Sequence, residues 1–131
     1  MEYKKINIDD LAVLKVIVGT DFVFSDEDKL LEYSSDETED LSYPPEVVIK
    51  PKTTEEISKI ITYCNDKLIS ITPCGARTGL SGGSLPIKGG IALSTERLNS
   101  IIEIDERNLQ AKVEPGVINQ VFRDAVEEKG L

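Results

Sequence analysis

Histidine is missing from all 131 residues, and so is tryptophan. Without histidine there is no Ser-His-Asp or Cys-His catalysis and no His-ligated metal. Cysteine is nearly missing too. Cys64 and Cys74 lie ten apart, which matches no zinc spacing, so no metal site is expected. They read as free thiols in a reducing cytoplasm. Aromatic residues make up 5%, so base stacking has few platforms. Positive charge is scarce: 15 Lys and Arg stand against 24 Asp and Glu, a net charge of −9. Such a chain repels phosphate backbones and anionic lipid, which excludes nucleic acid and membrane surfaces as expected partners. No apolar run reaches the ~18 residues of a membrane span, so no insertion is expected. Asp9 and Asp10 fall where a signal peptide needs a neutral stretch, which argues against export.

What is present describes an ordinary globular chain. Hydrophobic residues are 40% and charged residues 30%, outside the range of disordered sequences. The length fits one domain that buries roughly two-thirds of its unfolded surface. Residues 7–18 predict a helix, with Asn7 or Asp9 as cap and Ile8, Leu11, Leu14 or Lys15, and Val18 at helical spacing before Gly19. Phe22-Val23-Phe24 is too short to assign. Asp26 to Tyr33 predicts a short helix, and the acidic stretch Ser34 to Asp40 reads as solvated surface loop.

Pro44-Pro45 opens a new unit. Val47-Val48-Ile49 is a β-branched run ended by Pro51, a short buried strand. Thr53 to Glu56 forms a capping box. Behind it Ile57, Ile60, Ile61 and Cys64 lie on one helical face, with Cys64 as a small core hydrophobe. Ile69 to Thr72 is the next strand. Strand, helix, strand predicts a βαβ unit with 47–49 and 69–72 as parallel neighbours. Ile91 to Ser94 is a further strand. Ser100 to Ile104 and Gln110 to Val113, joined by Asp105 to Asn108, predict an antiparallel hairpin. After Pro115-Gly116, residues 117–129 predict an amphipathic helix packed on the sheet beside helix 55–66, with Gly130 as its C′ stop. A chain that ends at a cap, with no tail, reads as a cut through a longer one.

Six of the nine glycines fall between Pro73 and Gly90, in PCGARTGLSGGSLPIKGG, where neither helical nor strand period survives. Glycine lets backbone come close to a ligand, and successive amides can point into one concavity around an anion. The C-terminal edge of a parallel strand is where open α/β sheets place ligands. The residues therefore point to an anion-binding loop for phosphate or pyrophosphate; a glycine-rich loop without ligand is the alternative. A P-loop is absent, because nothing reads Gly-Lys-Ser or Gly-Lys-Thr. A dinucleotide fingerprint is absent, because Gly75, Gly79 and Gly82 have the wrong spacing and a strand follows.

The stretch from Pro73 to Gly116 resembles the flavin-binding domain of FAD-linked oxidases related to vanillyl-alcohol oxidase, in the branch of the glycolate oxidase subunit and D-lactate dehydrogenase. Four blocks carry the resemblance in order: Thr78 to Gly83, Pro86 to Ile91, Arg97 to Asp105, and Val113 to Val117. Tyr33 to Asp36, Val47-Val48 and Pro51 also match, so it spans roughly residues 25 to 131. The resemblance implies an α+β fold: the first subdomain of a PCMH-type FAD-binding domain, a small parallel βαβ sheet plus an antiparallel hairpin with flanking helices. It implies residues 1–42 as an N-terminal helical segment and 43–131 as the N-terminal part of the FAD-binding domain.

It further implies FAD as cofactor, with its pyrophosphate on Cys74, Gly75, Ala76, Arg77, Thr78, Gly79, Leu80 and Ser81, and with Gly82 and Gly83 permitting the turn. Two positions depart from the branch: Arg77 stands where glycine is common, and Cys74 where arginine is common. Arg77 either adds a phosphate contact or points to solvent. Cys74 is read as structural rather than as a flavin attachment point. In the family a second glycine-rich segment and a cap domain follow, and the cap supplies the residues for a small 2-hydroxy acid. Neither lies in this chain, so no catalytic residue can be named. The expected function is the FAD-binding portion of a cytoplasmic oxidoreductase for a substrate such as glycolate or D-lactate, with electron-acceptor subunits as further partners and the chain alone inactive. The alternative is a non-catalytic anion- or nucleotide-binding module on the same loop.

Overall fold

The computed structural model describes residues 2–131. Its first helix, α1 (Ile8–Val18), begins where side chains replace missing backbone partners: Asn7 accepts from the Asp10 amide while the Asp10 carboxylate accepts from the Asn7 amide. α1 turns Asp10, Leu14 and Val18 inward. Ile8 does not join them; it is exposed, because the inward stripe is set by Leu14 and Val18 and Ile8 lies off it. A 3-10 turn at Thr20–Phe22 leads to β1 (Val23–Phe24), and Asp26 caps α2 (Glu27–Glu32).

β2 (Val47–Ile49) is buried throughout. Thr53 then caps α3 (Thr54–Lys67), its hydroxyl accepting from the Glu56 amide. The Glu56 carboxylate reaches one residue further back than a capping box requires, to the Lys52 amide at 2.7 Å. α3 buries Ile60 and Cys64, with Ile57 half-buried, whereas Ile61 faces solvent. β3 (Ile71–Cys74) and β4 (Ile91–Ser94) follow.

The four strands form one sheet in the order β1-β2-β4-β3. This corrects the expected pairing of residues 47–49 with 69–72. The third strand lies two residues later, and β4 stands between it and β2, parallel to both: Val47 and Ile71 each pair with Ile91. Residues 75–90 return the chain to the start of the sheet without a helix, doing the work a crossover helix usually does. Pro73, which has no amide to donate, is tolerated because β3 is an edge strand.

Alternation along the central strands divides the core. Val47, Ile49, Ile91 and Leu93 pack with Leu14, Val18, Ile60 and Cys64 on the α1/α3 face. Val48, Ala92 and Cys74 pack with Tyr33 on the other. Both faces are covered, so β2 and β4 read as continuous apolar runs. Each buried aliphatic side chain contributes roughly 1.5–3 kcal/mol. A buried carboxylate ties the N-terminus to this core. Asp10 accepts Lys4 Nζ at 2.6 Å, the Tyr63 hydroxyl at 2.7 Å and the Asn7 amide at 2.9 Å. Burial pushes its pKa up, but the bonds to Lys4, Asn7 and Tyr63 outweigh that and hold it below the usual carboxylate value. The same contact, with burial, pushes Tyr63 up to about 12.

β5 (Ile101–Asp105) and β6 (Gln110–Val113) form the expected antiparallel hairpin as a separate two-stranded sheet. α4 (Asn119–Glu127) follows and ends in a Schellman motif: the Leu131 amide reaches Val126 O, the Gly130 amide reaches Glu127 O, and Gly130 has φ +76°. The expectation that this helix packs on the sheet is corrected. Phe122 and Val126 instead face Ile104, Leu109 and Ala111 of the hairpin across a hollow of about 180 Å³, and no residue of α4 is buried.

Candidate functional site

β3 and β4 run parallel, so Cys74 and Ser94 end side by side at one edge of the sheet. The glycine loop leaves from Cys74, and Thr95 and Glu96 leave from Ser94. The Thr95 amide donates to Cys74 O at 3.0 Å and fixes the two exits together. Pro115-Gly116 is brought to the same edge. The Gly116 amide donates to Leu98 O at 2.7 Å, and a Cβ there would stand 2.2 Å from Thr95 O. Only glycine allows that approach. Together these segments bound an open cleft of about 530 Å³, lined by Gly75 to Thr78, by Thr95 and Glu96, and by Pro115 to Asn119. The loop also curls around a shallower hollow of about 350 Å³, lined by Gly75 to Ser81 with Gly83, Ser84 and Asp36.

The glycines separate into two kinds. Gly82, Gly89 and Gly90 have φ of +68°, +65° and +71°, and a Cβ on Gly90 would meet Ser70 O at 2.3 Å. The fold itself needs them. Gly75, Gly79 and Gly83 have neither a left-handed φ nor any atom within 4 Å of a Cβ position. Nothing in the packing requires glycine there. A ligand lying against the backbone would. Among the described residues, moreover, the amides of Ala76 to Ser81 donate to no other group of the chain. Six neighbouring amides with no partner in the chain form a donor set suited to an anion. These two observations fit the residues to a pyrophosphate.

The residues expected at the site divide as follows. Gly75, Ala76, Thr78, Gly79, Leu80 and Ser81 surround the hollow with exposed backbone. Cys74 lies at its root with its thiol turned inward, 3.4 Å from Ser84 O and 3.5 Å from Thr72 O. Burial pushes that thiol, like Cys64, up to about 11, so neither is poised as a nucleophile. The Gly82 amide is already engaged, donating to Thr38 Oγ1 at 2.8 Å. Arg77 takes a course neither alternative foresaw. Its guanidinium stacks on the Tyr33 ring, 3.9 Å from the centroid, and Nη2 lies 3.2 Å from Glu32 Oε1.

The acidic stretch 34–40 is not solvated throughout. Ser34 is buried, and Asp36 and Thr38 are half-buried against the glycine loop. Asp36 accepts the Thr38 amide at 2.9 Å and the Ser84 hydroxyl at 3.2 Å. The Thr38 and Ser84 contacts hold its pKa below the usual carboxylate value. The only signal for this in the sequence was the Asp-x-Thr spacing of a side-chain-closed turn. Behind the loop, the buried Tyr33 hydroxyl lies 3.1 Å from Ser94 Oγ and 3.2 Å from Glu96 Oε2, and Lys50 Nζ reaches Glu96 at 2.6 Å. Glu96 is pushed up by burial and pulled further down by Lys50, Tyr33 and Ser94.

The family model of an FAD binding domain matches residues 45–131. The chain is 46% identical over 101 residues to the glycolate oxidase subunit GlcD of Bacillus subtilis, covering 77% of this chain and 22% of that protein. It is 33% identical over 129 residues to a probable mitochondrial D-2-hydroxyglutarate dehydrogenase of Oryza sativa, covering 98% of this chain and 23% of that one. Among solved structures, p-cresol methylhydroxylase with substrate bound superposes with a TM-score of 0.85 at 24% identity, over 99% of this chain and 27% of the other, and so shares the fold. The chain thus spans about a quarter of the length of the relatives it matches.

Proposed function

The chain belongs to the FAD-binding domain family, and on that premise we propose that its glycine loop holds the FAD pyrophosphate in an oxidoreductase acting on a small 2-hydroxy acid such as glycolate or D-lactate. The observation that carries this reading is the unpartnered row of amides from Ala76 to Ser81, flanked by glycines that the fold does not need. The flavin, when bound, supplies two-electron redox chemistry.

The chain's own residues bind and orient. The loop amides neutralise phosphate charge without a lysine, which suits a chain of net charge −9. Arg77 acts through its backbone, since its side chain lies on Tyr33, and Cys74 anchors the root of the loop. The cleft between the loop and Pro115 to Asn119 continues from the same edge and offers the remainder of the cofactor a wall. The segment that includes Tyr33 and Thr38 braces that edge from behind. Substrate recognition, electron-acceptor subunits and catalytic groups belong to parts of the protein outside these residues. Among the described residues no helix is long and apolar enough to cross a membrane, and two buried free thiols support a cytoplasmic setting.

The test is a visible spectrum of the intact protein under exclusion of air. Flavin bands that bleach on adding glycolate or D-lactate are the expected result. A protein that takes up no flavin overturns the cofactor reading, and one whose bound flavin is not reduced by any 2-hydroxy acid overturns the substrate reading.

A further inference from the structure

We propose that the segment from Glu32 to Thr38 is the frame that holds the glycine loop in its anion-binding shape, with the Thr38 hydroxyl as its principal positioning group. The inference rests on the reading of that loop as the pyrophosphate site. The loop needs such a frame. Its amides make no bonds of their own from Ala76 to Ser81, so nothing within it fixes their direction. Glycine adds backbone freedom that binding would otherwise have to remove.

Three contacts reach the loop from this one segment, one within the row of free amides and two just past its end. Glu32 pairs with Arg77, Thr38 Oγ1 accepts the Gly82 amide, and Asp36 accepts the Ser84 hydroxyl. Each fixes a different feature. The Arg77 backbone stands at φ +57°, a conformation that costs a non-glycine residue, and its side chain is held over Tyr33 at 3.9 Å. The Thr38 contact withdraws the Gly82 amide from the ligand set and fixes the backbone at the end of the Ala76–Ser81 row. Asp36 closes the Thr38 turn through the Thr38 amide, so the segment is itself fixed.

Simple electrostatics gives the opposite expectation for the acidic members. Glu32 and Asp36 stand beside a site for an anion, and removing a negative charge there should strengthen anion binding. A frame reverses the sign. Thr38 is uncharged, so its effect is free of that conflict.

The experiment titrates the chain with FAD, following quenching of flavin fluorescence, and records the melting temperature of every variant. Thr38→Val, which keeps the shape and removes the acceptor, is expected to weaken FAD binding about tenfold with little change in melting temperature. Thr38→Ser restores the hydroxyl and is expected to bind as the parent chain does. Glu32→Ala is expected to weaken binding about twofold, as an exposed pair allows. Binding unchanged in Thr38→Val, no rescue by Ser, or tighter binding in Glu32→Ala each overturns the frame while leaving the loop reading intact. A parent chain that does not quench flavin at all overturns both. If Thr38→Val does not fold, the sign of the Glu32→Ala effect decides.

Discussion

Two regions of this molecule bury their apolar residues to very different degrees. The four-stranded sheet with α1 and α3 encloses Leu14, Val47, Ile49, Ile60 and Ile91 completely. The hairpin β5–β6 with α4 buries nothing, and Ile102, Val113, Ile118 and Val121 are 54%, 41%, 68% and 52% exposed. The first region has layers on both faces of its sheet; the second is one hairpin with one helix beside it, an arrangement that is marginal alone in water. Stability therefore resides in the first. The cleft lies where the two meet, so its loop wall is rigidly backed while its Pro115–Asn119 wall leans on the weaker unit.

The contrast is sharpest at a single buried side chain. Ile60→Asp places an unpaired charge at a fully buried position of α3, at a cost of several kcal/mol, and is expected to abolish the cooperative melting transition. A melting temperature equal to the parent's would show that this face is not the core. Gly116→Ala comes next. Its Cβ would collide with Thr95 O and Leu98 O, both backbone, and overpacking of this kind costs about 1–3 kcal/mol. Because that turn seats the second region on the first, FAD binding is expected to fall together with melting temperature. A neutral Gly116→Ala would mean the two regions are not joined there.

Acid separates the regions in a third way. Asp10 has a lowered folded pKa, so its contribution is present above its unfolded value of 3.8 and is lost as pH falls through the folded one. Asp105 is also lowered, chiefly by the Asn108 side chain, but it sits in the exposed hairpin turn. Melting measured from pH 6 down to about pH 3 is expected to show a smaller acid-sensitive fall in Asp10→Asn, the remainder coming from Asp36 and Glu96, and an undiminished one in Asp105→Asn. The reverse pattern would place the acid-labile region in the hairpin. The smallest effect belongs to Ile102→Asp. At an already exposed position it is expected to shift stability by less than about 0.5 kcal/mol, and a loss of several would mean the hairpin face is covered.

Much of the first region was legible because its signals are local. The Val47–Ile49 run, the Thr53 cap and the stripe of Ile57, Ile60 and Cys64, though not its expected member Ile61, each follow from neighbours in sequence, as does the hairpin turn of the second region. The insertion of β4 between β2 and β3 was not, since strand order is decided by a helix-free return through residues 75–90 that carries no period. The placement of α4 failed for a related reason. An amphipathic helix declares an apolar face but not which surface receives it. The glycine loop stood out by composition, yet composition could not tell Gly90, which the Ser70 carbonyl demands, from Gly79, which the fold does not. Nor could it show Arg77 lying on Tyr33, or Thr38 and Asp36 reaching across more than forty residues to the Gly82 amide and the Ser84 hydroxyl.

The central claim is that the loop's free amides, closely approachable because Gly75 and Gly79 carry no side chain, take the pyrophosphate of FAD. Calorimetric titration of the chain and of Gly79→Val with FAD tests it most directly. The parent is expected to bind with a Kd no tighter than about micromolar, because much of the cofactor has no second wall here, and Gly79→Val is expected to melt as the parent does and bind nothing. No saturable heat from the parent, or equal affinity in Gly79→Val, would contradict the account.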